Sequence, residues 1–210
     1  MNNIYLSKSR YCKARQCKKI IWLKKYKPEY AIQKARDIVL ENGTKVGQLA
    51  KGLFGKYENI DFNENLNIMI DQTKKLLKNK PNIITEASFN YNNNFCSVDI
   101  LKNDIDGVEI YEVKSSTEIS DIYLDDVSYQ YYILNNLEFN IKKACIVYIN
   151  NKYVKQGNLE LNKLFNIEDV TEIAKSKQQE IENNIYELNK YMEEHMDNEP
   201  KDDIGIKCFK

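Results

Sequence analysis

Nowhere in the 210 residues does an apolar run approach the roughly 20 residues that a bilayer-spanning helix needs, so no membrane span is expected. The basic opening MNNIYLSKSRYCKARQCKK also lacks the uninterrupted apolar core of a secretory signal peptide. Together these absences point to a cytoplasmic protein. Proline and glycine are scarce, at 3 and 7 residues, which excludes collagen-like and low-complexity chains. No internal repeat is visible, and 42% hydrophobic with 30% charged residues suits a soluble globular domain with a core of useful size. Net charge is missing too, since 31 basic side chains face 31 acidic ones, which argues against a general nucleic-acid binder. Five cysteines (Cys12, Cys17, Cys96, Cys145 and Cys208) are expected to stay reduced in the cytoplasm, so metal ligation or plain packing accounts for them better than a disulfide framework.

The zero net charge hides a strong asymmetry. Residues 1–56 hold 14 basic and 3 acidic side chains, leaving 17 basic and 28 acidic for the rest. A local cationic patch is all that phosphate-backbone binding requires. The plainer reading is that Lys-rich helices present solvated faces.

Along the chain, a helix is predicted from Ser7 or Ser9, both good N-caps, to Pro28. A second covers about 29–54 with an interruption near NGTKVG, and a third covers NENLNIMIDQTKKLLKN until Pro81 stops it. Short runs rich in β-branched and aromatic residues follow, NIITEASFNY, NFCSVDILK and VEIYEVKSS, then a helix over about 122–137 and a strand at KKACIVYIN. A long helix over about 167–192 precedes an acidic, loosely held tail.

The candidate site lies in FCSVDILKNDIDGVEIYEVKSS, where the polar cluster Asn103, Asp104, Asp106 and Gly107 reads as a hairpin turn. Glu112 and Lys114, two apart on a strand, share a face. With a four-residue loop, Asn103 to Asp106, Lys102 pairs with Gly107 and Asp99 faces Ile110 on the side that carries Glu112; an odd loop would separate the acids. Val98, Ile100, Tyr111 and Val113 are expected to pack behind them. Converging carboxylates repel unless a cation compensates, and hard oxygen ligands suit Mg²⁺ or Mn²⁺. Such an ion promotes phosphodiester hydrolysis, with Lys114 placed to hold water and neutralise developing charge. An acid followed by E-x-K also arises by chance as a solvent-facing surface pair.

Asp99 with Glu112-Val113-Lys114 on consecutive strands resembles the D…ExK core of the PD-(D/E)XK nuclease superfamily, and the helix–strand–strand–strand–helix–strand order is similar to its core. DDVSYQYYILNNL resembles the Gln-containing helix of RecB-like nucleases, with Gln130 as that glutamine. LSKSRYCKARQCKKIIWLKKYKP and NGTKVGQLAKGLF are similar to the leading segment and second helix of RecB-like and CRISPR-associated nucleases. The resemblance extends over most of the chain and is closest to the nuclease-like N-terminal module of an uncharacterised bacterial family. It implies an α/β fold with a restriction-endonuclease-like core, a central mixed β-sheet flanked by helices, and an N-terminal helical segment.

By the same resemblance, residues 1–195 form the nuclease-like domain: 1–80 helical and basic, 81–150 strand-rich, 151–195 helical. Residues 196–210 would begin an iron–sulfur cysteine segment of a longer protein with further domains. Cys17, or alternatively Cys12, would be the early cluster ligand and Cys208 the first late one. Cys96 and Cys145, in predicted strands, are expected as small core residues. Asp99 and Glu112 would ligate Mg²⁺ or Mn²⁺, with Glu86 as a further candidate at the start of the first strand. Lys114 would position water and Gln130 would support the site. The family's second-helix His is missing, for KVGQLA has Gly47 and Gln48 there, and the sole histidine, His195, is expected as surface decoration. Leu134 replaces the usual Tyr four residues after the glutamine. The implied activity is metal-dependent DNA hydrolysis, exonuclease-like, on single strands or duplex ends; the alternative is a nuclease-like fold that no longer cuts and serves nucleic-acid binding or assembly.

Overall fold

The computed structural model describes residues 6–30 and 37–201. Strand β1 (Leu6–Ser7) leads into α1 (Lys8–Gln16), where the Ser7 side chain accepts the Arg10 N–H at 3.4 Å as an N-cap. The single helix predicted as far as Pro28 is broken. Cys17 is extended (φ −161°, ψ 113°), and α2 (Lys18–Tyr26) starts afresh so that Ile21 and Trp22 are buried. After a 3₁₀ turn at Pro28–Tyr30 and α3 (Asp37–Lys51) come β2 (Glu58–Asn59) and α4 (Leu66–Asn79). The interruption predicted near NGTKVG does not occur, because α3 runs through Gly43 and Gly47. Helix α4 ends as predicted, with Lys80 left-handed (φ 51°) just before Pro81.

The sheet follows in β3 (Ile83–Tyr91), β4 (Asn94–Asp104) and β5 (Gly107–Lys114). Asn92 and Asn93, both at positive φ, make the two-residue β3–β4 turn, a conformation that asparagine tolerates. Helix α5 (Asp121–Asn136) carries the chain to β6 (Ile141–Ile149), parallel to β5. The long helix predicted over 167–192 is instead α6 (Leu161–Leu164), β7 (Phe165–Asp169), α7 (Thr171–Ser176) and α8 (Gln178–Glu194). The five residues of β7 complete a backbone ladder with β6, from Ile149↔Phe165 to Cys145↔Asp169, and that pairing overrides any local helical preference.

The result is an α/β fold with a mixed seven-stranded sheet flanked by helices and preceded by a helical segment, consistent with the restriction-endonuclease-like core expected. Its order is β2-β3-β4-β5-β6-β7, and β1 adds in parallel to β4. One face packs Tyr11, Trp22, Tyr129, Ile133 and Ile181 from the helices against Ile84, Leu101, Ile110 and Ile146. The other carries Ile83, Ile100, Tyr111 and Val147 beneath Ala50 of α3. Among the described residues no helix is long and apolar enough to cross a membrane.

Folding also redistributes the charge asymmetry. Arg15 pairs with Glu180 at 2.6 Å, Lys18 with Glu187 at 2.8 Å, Lys19 with Glu199 at 3.4 Å, and Lys27 also with Glu199. Apart from the one made by the buried Lys19, these are largely exposed pairs that contribute little stability each, but together they set much of the basic N-terminal segment against acids of α8 and the chain after it.

Candidate functional site

The β4–β5 hairpin turns on two residues, Ile105 and Asp106, not on the four predicted; Lys102 pairs with Glu109 and Asp104 with Gly107. Gly107 makes the tight loop feasible. Its φ is +144°, and a Cβ there would lie 2.2 Å from the Asn140 carbonyl oxygen. The loop remains even in length, so the predicted parity survives although the register moves by two. The ladder ends at Ile100↔Tyr111, and the strands then part. One step further, the Asp99 carboxylate accepts the Val113 N–H at 2.8 Å, replacing the strand partner that the ladder no longer supplies.

Alternation fails at the same place. Cys96, Val98 and Leu101 share one core while Ile100 lies in the other, so Val98 is not behind the acids with Ile100 and Tyr111 as predicted. The neighbouring strand shows the same switch between Ile84 and Ala87, with Glu86 at φ 59° between them. Glu86 therefore sits within β3 and not at its start. A positive φ on a non-glycine strand residue is a strained conformation of the kind that concentrates at functional sites. Its carboxylate meets Lys51 at 3.2 Å.

Glu112, only 2% exposed, is the centre of the cluster. Lys114 donates to its Oε1 at 2.7 Å, and the fully buried Gln130 donates from Nε2 to Oε2 at 2.7 Å. Two further residues join that the sequence reading did not select. Asp126 lies one turn before Gln130 on the same face of α5, and it takes a short hydrogen bond from Lys114. Lys8, the first residue of α1, reaches both Glu112 oxygens at 2.9 and 2.8 Å, Asp126 at 3.5 Å and Asp99 at 3.9 Å. The i, i+4 spacing of Asp126 and Gln130 was a usable signal for the former. Nothing local marks Lys8, which is 104 residues from Glu112.

The electrostatics follow from three acids sharing two ammonium groups. Burial and then the Glu112 charge push Asp99 up to about 7, although Lys8 and Lys114 pull the other way. Asp126 rises for the same two reasons, burial first. Burial would also raise Glu112, but Lys114 and Lys8 together hold it well below the usual carboxylate range. Burial opposes the charge on Lys114, and Glu112 and Asp126 outweigh it, so this side chain stays an ammonium. The site therefore carries one surplus acid whose ionisation is resisted.

The acids open on a cleft made of two adjoining hollows of about 510 and 560 Å³, both bordered by Lys8, Ser9, Gln48, Lys51, Glu86 and Asp99. One reaches Glu112, Lys114 and Asp126; the other reaches Phe62, which is 79% exposed. Among the described residues no group of three or more His, Cys, Asp or Glu side chains closes directly into a metal cage. Asp99, Glu112 and Asp126 instead converge on the Lys8 ammonium. Carboxylate oxygens are hard donors of the kind that Mg²⁺ and Mn²⁺ take.

Of the predicted cysteine ligands, Cys17 and its alternative Cys12 lie among the described residues. Cys208 lies outside them. Cys12 is buried, with its thiol pushed up to about 12 by burial, and Cys17 is disulfide-bonded at the α1–α2 junction, contrary to the expectation of reduced thiols throughout. Cys96 and Cys145 are free, buried strand residues as predicted. His195 is partly packed, its Nδ1 lying 2.8 Å from the Tyr191 carbonyl oxygen and far along the chain from the cluster.

No protein-family model matches the sequence, and no curated protein matches it closely enough to indicate a relative.

Proposed function

We propose that this chain hydrolyses phosphodiester bonds of DNA with the help of Mg²⁺ or Mn²⁺, acting on single strands or duplex ends as an exonuclease-like enzyme. The observation that carries this reading is the meeting of Asp99, Glu112 and Lys114 on the wall of an open cleft where β4 and β5 part, with the buried Gln130 bonded to Glu112 from behind. Asp99 and Glu112 would hold the ion, with Asp126 within reach of the same cation position and Glu86 bordering the cleft. A bound divalent ion supplies Lewis acidity toward a phosphate and makes nearby water easier to deprotonate.

The protein's own groups divide the remaining work. Lys114 is held as an ammonium, so it serves as a hydrogen-bond donor and positive charge toward water and phosphate, not as a proton acceptor. Gln130 fixes the orientation of Glu112 from a buried helix face. Lys8 and Lys51, on the cleft wall, are placed to meet a phosphate backbone.

A second reading, a nuclease-like module that binds nucleic acid without cutting it, is favoured by one observation: Lys8 already neutralises the acids. End-labelled DNA incubated with Mn²⁺ or Mg²⁺ separates the two. The hydrolase reading expects metal-dependent shortening that Lys114→Met slows at least about 100-fold while DNA binding persists, because a transition-state interaction has been removed. Retention of intact DNA by the wild-type protein at every metal concentration would leave the non-cutting module.

A further inference from the structure

Glu112 has no acceptor capacity to spare. A carboxylate offers about four lone-pair positions, and here Oε1 receives Lys8 at 2.9 Å and Lys114 at 2.7 Å while Oε2 receives Lys8 at 2.8 Å and Gln130 at 2.7 Å. A divalent ion can therefore coordinate Glu112 only by replacing one of these donors. Gln130 is fully buried on α5 and has nowhere to go. Lys114 projects from a central strand, is also held by Asp126, and lies over the Tyr123 ring at 5.1 Å. Lys8 differs from both. It borders both hollows of the cleft, so its long side chain has open space on the outer side of the acids.

We propose that Lys8 is a displaceable internal counter-cation, occupying the position among Asp99, Glu112 and Asp126 that a divalent metal takes, and that it must swing into the cleft before the metal binds. This rests on the metal-dependent reading above and deepens it by making the first residue of α1 a gate on metal loading. The backbone need not move. Ser7 stays paired with β4 as part of β1, and Tyr129 donates to the Leu6 carbonyl at 2.7 Å, so the start of α1 is anchored and only the Lys8 side chain has to move, giving up the acids and the Ser97 carbonyl that it meets at 3.4 Å. In the metal-free protein the ammonium reduces repulsion among three acids; on loading, a doubly charged ion does so more effectively, and two cations on the same oxygens repel.

Two measurements test the gate. The first, on the wild-type protein, follows acylation of each lysine by an amine-reactive ester using mass spectrometry, with and without saturating Mn²⁺. Reactivity at Lys8 should rise several-fold with Mn²⁺ while that at Lys114 does not. The second compares Mn²⁺ binding by calorimetry in wild type and Lys8→Met, for which the dissociation constant should fall at least about tenfold, and it is read only if the variant is folded. Unchanged Lys8 acylation in Mn²⁺-saturated protein, or an unchanged dissociation constant in the folded variant, overturns the gate and leaves the hydrolase reading standing. Absence of Mn²⁺ binding in both proteins overturns the gate and the metal-dependent reading together.

Discussion

Replacing Asp99 by asparagine separates the charge of this acid from its shape. Asparagine is nearly isosteric, and its Oδ1 can still accept the Val113 N–H that Asp99 accepts at 2.8 Å. What disappears is an ionisation resisted first by burial and then by the charge of Glu112, which together lift the acid from 3.8 to about 7 in the folded protein. Since the folded value is raised, the stabilising contribution is complete below 3.8, declines as pH rises through the interval, and is lost above about 7. At about 1.4 kcal/mol per pH unit across that window, the wild type should lose about 2.5 kcal/mol relative to the variant between pH 5 and pH 8. Losing the charge-assisted part of the bond to Val113 offsets about 1 kcal/mol of the full penalty at pH 8, so the variant should still be the more stable protein there. Urea unfolding in the presence of a chelator, at both pH values, measures this difference directly. A difference that does not change with pH, or a variant less stable than wild type at pH 8, would refute the claim that Asp99 carries the surplus charge.

Gly107→Ala should destabilise the protein by about 3 kcal/mol or more in urea unfolding, because a Cβ would meet the Asn140 carbonyl in a conformation that alanine avoids; a loss under about 1 kcal/mol would show that the hairpin gives way easily. Tyr129→Phe removes the hydroxyl that bonds the Leu6 carbonyl at 2.7 Å, so about 1–2 kcal/mol should be lost in thermal or urea melts, and a neutral result would mean that this carbonyl finds another donor.

Elements whose signal is local were legible in the chain. Pro81 stops α4 as the pattern predicted, and the alternating apolar residues of β3, β4 and β5 marked the strands. The even parity of the hairpin, on which the meeting of Asp99 with Glu112 depends, was a condition that the chain did not settle, and the loop is two residues long because Asp104 and Gly107 pair across the turn instead of lying within it. Gln130 was selected through the resemblance that DDVSYQYYILNNL carries, not through its spacing.

What lay beyond the sequence depends on partners far apart along it. The run from Phe165 to Asp169 became a strand because β6 offered a free edge. The basic start of the chain did not remain a free cationic face, because α8 and residue Glu199 bring acids against it. Above all, the cluster acquired Lys8 and Asp126 only when α1 and α5 packed on the same side of the sheet. A side chain's identity and its position in a local repeat are written in the sequence, whereas the field it experiences is a sum over charges brought near by packing, and that sum exists only in the folded molecule.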